Sequence, residues 1–331
     1  MNRSTPHLRP TVEGDLDRIL PLLTGAPACA GLTAASYRAK LADAQYRPEW
    51  TWAAEDDAGT LLAVAVWWGG SHEARPGALD GFFTAASVGE GPERTELAAA
   101  LLRAAHAAFA ATGGAGRSGD ATTPPEYHVF LPGDWREQPA VAADLGWRRQ
   151  AAALAGLSAS LERLRFEWSP ADAPPVADAR LTFEPEADDE AFVELARRAL
   201  TGSLDSHSST EAARVGAERQ AREDIAFYRD SMLGERSWWR VARDAQGAVV
   251  GFGLPSRNHA AAVVGYLAVL PEYRGHGYAV GILGEITRIL ATEAGATLVR
   301  ADTDLVNRPM AEAFARAGYR NESRRLVLSA G

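Results

Sequence analysis

One stretch, Leu267-Ala-Val-Leu-Pro-Glu-Tyr-Arg-Gly-His-Gly-Tyr-Ala279, limits what this chain can fold into more than any other. An apolar strand runs into a turn carrying Gly275 and Gly277, and a helix opens directly after it. Glycine accepts the backbone angles that such a turn needs. Successive N–H groups at the helix mouth then converge where the helix dipole is positive, which makes a pocket for a diphosphate. Arg274 adds a positive charge to it. Downstream, Ala279, Ile282, Leu283, Ile286, Ile289 and Leu290 recur at helical spacing, and Gly295 marks the end.

Spacing separates this loop from other phosphate binders. A Walker loop needs Gly-Lys-Ser/Thr, and a dinucleotide fold needs Gly-x-Gly-x-x-Gly with an acidic residue on the next strand. Neither pattern is present. Arg274-x-x-Gly277-x-Ala279, entered from Ala-Val-Leu-Pro, resembles the acyl-CoA signature of the GNAT superfamily of N-acyltransferases. Beyond it, strand residues 297–303 lead to Asn307, with Phe314 seven residues on and Gly318-Tyr319 eleven and twelve on, which resembles the second signature of that superfamily. The resemblance implies an α/β fold of the mixed α+β kind: a central, mostly antiparallel sheet with one splayed strand pair and flanking helices.

The two halves read as weak copies of one plan, so two tandem domains of that kind are expected. Leu8-Arg-Pro-Thr-Val-Glu-Gly-Asp matches Leu181-Thr-Phe-Glu-Pro-Glu-Ala-Asp, each followed by an amphipathic helix pattern. The hairpin pattern around Asp57 and Gly59 matches that around Asp244 and Gly247. Asp144-Leu-Gly-Trp147 answers Arg316-Ala-Gly-Tyr319. Insertions at 203–235 and a Gly-rich loop at 113–125 change the offset between copies. The expected boundaries are a degenerate domain over 1–168, a linker at 169–178 and an acyl-CoA-binding domain over 179–331. The linker is a Pro/Ala/Asp stretch with nothing to bury. Degeneracy is read from Glu90 and Glu93, which stand where a diphosphate needs positive surroundings, and from Ala142 in place of the late aromatic. The order of a degenerate copy and then an intact one resembles mycothiol synthases.

At 331 residues the chain is long enough for two cores. A net charge of −9 argues against nucleic acid as partner and suits a cationic amine. Cys29 is the only cysteine, so no internal disulfide forms, and zinc-ligand spacing is absent. No segment reads as a membrane span, and nothing at the N-terminus reads as a signal peptide, so a cytoplasmic monomer or homodimer is expected. Lys40 is the only lysine among many arginines, which suggests bacterial high-GC coding.

The resemblance implies acetyl-CoA as cosubstrate and a small-molecule amine as acceptor. By position, the N–H groups of Leu267 and Val269 would hold the thioester and pantetheine. Arg274, Gly275, His276, Gly277, Tyr278 and Ala279 would hold the diphosphate, with Asn307 and Phe314 further along the carrier. Direct attack of an amine needs a proton acceptor, and Asp302, five residues before Asn307, is the first candidate. His259 is the second. Asp205, His207 and Asp304 are candidates for binding the acceptor. Phe314 replaces the tyrosine that returns a proton to the thiolate in many relatives, so either the thiolate leaves unprotonated or Tyr266, Tyr278 or Tyr319 substitutes from elsewhere. The alternatives are a CoA-binding regulator or scaffold without turnover, and O-acyl transfer or other thioester chemistry on the same fold.

Overall fold

Apolar alternation and Asp/Gly turns shape both halves as the sequence suggests. The computed structural model describes residues 5–112, 122–258 and 260–331, and the chain divides into two units, Met1–Glu162 with Arg324–Gly331, and Arg163–Ser323.

The first unit runs β1 (His7–Pro10), α1 (Leu16–Ile19), α2 (Ala34–Ala42), β2 (Thr51–Glu55), β3 (Leu61–Trp68), β4 (Ala78–Thr84), α3 (Pro92–Ala111), β5 (Glu126–Pro132), α4 (Pro139–Leu154) and the start of β6 (Ala159–Trp168). Strands β1 to β4 pair antiparallel in sequence order, and β4 pairs β5 in parallel. The first helix is shorter than its amphipathic pattern suggests. Pro21, inside the 3₁₀ turn that follows α1, cannot supply the N–H that would continue it. Trp52, Trp67, Phe82 and Phe109 pack with α3 and α4 on one side of the sheet, and Leu326 and Leu328 from the chain end join them.

The second unit runs β7 (Thr182–Pro185), α5 (Asp189–Ala199), α6 (Ser206–Val215), α7 (Ala217–Asp230), β8 (Arg240–Arg243), β9 (Val249–Arg257), β10 (Ala262–Val269), α8 (Tyr278–Thr292), β11 (Val299–Asp304), α9 (Arg308–Arg316) and β12 (Arg320–Ser329). Its strand order is β6-β11-β10-β9-β8-β7, antiparallel except for β10 beside β11. One sheet face packs Phe252, Leu254 and Trp239 against α5 and α7. The other packs Val250, Val264, Val299 and Ala301 against α8 and α9. Asp/Gly turns close both hairpins, with Gly59 at φ 76° and Gly247 at φ 80°.

Two sequence readings change. The match of Gly146 to Gly318 is not structural: α9 ends before Gly318, whose φ is 85°, whereas α4 runs straight through Gly146 to Leu154. The 169–178 stretch does bury something. Val176 packs against the core, its carbonyl lies directly over Gly284 of α8, and Asp178 covers Gly281. Small residues on α8 let that backbone lie flat on the helix.

Adding a methyl at Gly284 drives it into the Val176 carbonyl, which a backbone cannot yield cheaply. Gly284→Ala should therefore lose about 1–3 kcal/mol from overpacking, outweighing the ~1 kcal/mol gained in helix propensity. The urea midpoint reads this. A midpoint equal to or above that of the parent would show that 169–178 does not rest on α8.

Candidate active site

Strands β10 and β11 meet at two register pairs only, Ala262 with Val299 and Val263 with Arg300, and then part. The register of β10 against β9 shifts between Val263 and Tyr266. Gly265 sits in this bulge at φ 72°, and a Cβ there would strike the Leu254 carbonyl. Beyond the bulge, Leu270 N–H bonds Val250 on the β9 side. Strand alternation therefore turns the N–H groups of Leu267 and Val269 toward the opening between β10 and β11. These are the two amides that the motif singles out.

The loop after β10 ends with Gly277 in the left-handed region, φ 78° and ψ 9°, as the N-cap of α8. Among the described residues, the five consecutive N–H groups of Gly275, His276, Gly277, Tyr278 and Ala279 donate to no backbone carbonyl, and no side chain caps the helix. Arg274 is used differently from its expected role. Its Nη1 donates to the carbonyls of Thr201 at 2.6 Å and Gly202 at 3.1 Å, and its Nη2 to Ala199 at 2.6 Å. It closes the C-terminal end of α5 against the loop. Two further guanidinium groups reach the helix mouth: nitrogens of Arg180, which is itself paired with Asp178 at 2.7 Å, and of Arg316 both stand 3.9 Å from the Cβ position of Gly277. Arg180 also donates to the His276 carbonyl at 3.0 Å and lies over the Tyr278 ring at 5.0 Å. Neither arginine is visible in the motif, because each reaches the loop from a distant part of the chain. Donors and charge together fit a diphosphate.

On the face covered by α5 to α7, a polar cluster borders the opening. Asp304 is fully buried, its Oδ1 2.9 Å from Arg163 Nε and its Oδ2 accepting from Ser206 N–H at 2.6 Å. Asp205 caps α6 through Ser208 N–H and pairs with Arg163 Nη2, both at 2.9 Å. Breaking a buried pair of this kind typically costs about 3–5 kcal/mol, so Asp304, Asp205 and Arg163 join α6 to the strands. Asp302 stands opposite Arg165 in the β6–β11 register and lies in the field of Arg163. His207 is exposed in the first turn of α6. His259 lies outside the described residues.

Asp224 on α7 belongs to this cluster and the motifs do not reveal it. Burial pushes its carboxyl up to about 6, against the opposing pull of the Gln220 hydrogen bond and of His207. A signal was present in the sequence. Gln220, Ala221, Asp224, Ile225 and Tyr228 share one helical stripe, and polar residues on the buried stripe of an amphipathic helix are unusual.

Asn307 caps α9 by accepting from Met310 N–H at 3.3 Å. Phe314 is 3% exposed, stacked on Phe166 with ring centroids 4.8 Å apart, so its face is spent on core packing. Tyr319 is bonded through its hydroxyl to Thr287 at 2.7 Å, and burial raises its pKa.

The first unit shows the same strand geometry with different residues around it. Its β4 and β5 also meet at two register pairs, Ala78 with Glu126 and Leu79 with Tyr127, before parting. There the buried Arg148 guanidinium from α4 donates to the Phe82 carbonyl on β4 and pairs with Asp144 at 3.1 Å. At the mouth of α3, Gly91 is the N-cap, with Glu90 and Glu93 exposed around it.

Residues 204–319 match the family model of the acetyltransferase (GNAT) family. A GCN5-related N-acetyltransferase from Sphaerobacter thermophilus has a similar structure, with 15% identity, a TM-score of 0.53, and coverage of 97% of this chain and 94% of that one. The glucosamine N-acetyltransferase region of a fungal multi-domain β-N-acetylglucosaminidase gives 13% identity and a TM-score of 0.53 over 99% of this chain and 38% of that one. A tandem GNAT protein from the clavulanic acid biosynthesis pathway gives 17% identity and a TM-score of 0.48 over 99% of each chain. No curated protein matches the sequence. Residues 204–319, in the second unit, thus match the acetyltransferase (GNAT) family, and the chain shares the fold of GCN5-related N-acetyltransferases.

Proposed function

We propose that the protein is an acetyl-CoA-dependent N-acetyltransferase acting on a small-molecule amine, with its chemistry in the second unit. The single observation that supports this most is the row of five N–H groups from Gly275 to Ala279 beside Arg180 and Arg316, at the end of a strand that has left its neighbour. In this reading the diphosphate of CoA lies on those amides, and the thioester carbonyl lies in the opening by Leu267 and Val269. Amides held in place before the reaction stabilise an oxyanion without reorganising. The amine approaches from the acidic face that carries Asp205, His207, Asp224, Asp302 and Asp304, and a carboxylate of that face takes its proton. Asp302 is the choice that motif spacing offers. In this reading the first unit, with Arg148 bonded to β4 and carboxylates at the α3 mouth, does not bind the thioester.

A binding protein without turnover is the second reading, and the packing of Phe314 motivates it: no hydroxyl stands where many relatives return a proton to sulfur. Thiol release from acetyl-CoA across a set of primary amines and alcohols separates the readings. Amide product supports the proposal, ester product moves it to O-acylation, and tight binding with no release on any acceptor favours the second reading.

Calorimetry on the full chain should show acetyl-CoA binding that weakens about ten- to a hundredfold in the double variant R180A/R316A, the loss corresponding to two charge-assisted contacts. Raising the salt should shrink that difference. Equal affinity in parent and variant would remove the arginines from the site. Arg274→Glu should act otherwise, lowering the thermal midpoint because it abandons the carbonyls of Ala199, Thr201 and Gly202. An unchanged midpoint would contradict the role given to Arg274.

A further inference from the structure

We propose that Asp224, held by Gln220 on α7 near the β10 bulge, binds the ammonium of the acceptor and takes its proton, which makes the substrate a primary amine. The inference rests on the acetyltransferase reading above.

Gln220 is 4% exposed and donates Nε2 to Asp224 Oδ1 at 2.9 Å, while its Oε1 meets no donor among the described residues. The same holds for Asp224 Oδ2. A buried carboxylate oxygen and a buried amide oxygen, adjacent and unmatched, are costly unless a cation uses them. Two acceptors and no donor suit an ammonium, which has three N–H groups to give. One turn further along α7, the Tyr228 hydroxyl donates to the Gly265 carbonyl at 3.1 Å, and its ring lies 6.0 Å from that of Tyr266, nearly parallel. The pair of tyrosines ties this part of α7 to the bulge, next to the amides that would face the thioester.

The groups around Asp224 favour a carboxylate that can change its charge. Asp205 and His207 face it from the start of α6, Glu223 and Tyr228 from its own helix, and Tyr266 from β10. From α5 come Phe192, Leu195, Ala196 and Ala199, which are apolar. Arg163 is engaged by Asp205 and Asp304. A base with a pKa of about 6 is ionised at neutral pH and still basic enough to accept a proton.

The ammonium passes one proton to Asp224 Oδ2, and the freed lone pair forms a C–N bond to the thioester carbon. The C–S bond then breaks, the electron pair leaves on sulfur, and the second proton from nitrogen ends on the thiolate. Asp224 returns its own proton to solvent. Ammonium and acetyl-CoA become amide, CoA thiol and a proton.

The test compares kcat/KM against pH for the parent, Asp224→Asn and Asp302→Asn with the best primary amine, and adds unfolding midpoints for each. The parent should show an acid limb near pH 6. Asp224→Asn should lose about a hundredfold or more at neutral pH, with no acid limb and an unchanged KM for acetyl-CoA. Its stability should not fall. A carboxyl whose folded pKa lies above its unfolded 3.8 contributes a stability term that declines as pH rises from about 4 to about 6, and the amide variant escapes that decline. Asp302→Asn should keep the acid limb. An Asp224→Asn profile within threefold of the parent overturns the inference while leaving acetyl transfer intact. So does an acid limb that disappears with Asp302→Asn instead, or a rate loss accompanied by a lower midpoint and a retained limb. If no amine is turned over although acetyl-CoA binds, the acetyltransferase reading itself fails, and this inference with it.

Discussion

Everything at the candidate site depends on β10 and β11 running in parallel for only two residues before they separate. A continued ladder would consume the N–H groups of Leu267 and Val269. The bulge at Gly265 breaks the regular register, and the glycine turn at 275–277 then starts α8 with its first amides uncommitted. Backbone donors left unpaired in this way are normally costly. Here they cluster at a helix mouth beside two arginines, where an anion would meet them.

The two units share the parted-strand geometry and differ in what surrounds it. Parting strands occur in both, because the sheet plan produces them. In the first unit a buried guanidinium from α4 bonds the parted strand, and acidic residues ring the following helix start. In the second, the N–H groups of Leu267 and Val269 face the opening between β10 and β11. The α4 helix of the first unit also runs longer than α9 does in the second, and that length carries Arg148 on a continuous helix beyond the Gly146 position.

Local signals made the strand, the glycine loop, α8 and both hairpins legible, since turn chemistry and apolar periodicity act over a few residues. Asn307, read only as a contact along the carrier, caps α9. Longer-range effects were not legible. The charge of Arg274 looked available until α5 folded back to place three carbonyls against it, and Arg180 and Arg316 reach Gly277 only through tertiary packing. Asp304 read as a free acid because nothing local announces Arg163 from β6. The 169–178 stretch looked unpacked because its contact is made by a carbonyl lying on small helix residues, a pattern without an apolar signature.

The central claim, that the amides at the start of α8 grip the nucleotide end of CoA, is tested most directly by amide NMR titration of the full chain. Adding CoA should move the resonances of Gly275, His276, Gly277, Tyr278 and Ala279 as a group and to saturation, while Gly89 and Gly91 in the first unit stay fixed. If the five amides do not respond, or if Gly89 and Gly91 respond in their place, the account is wrong about where the carrier binds.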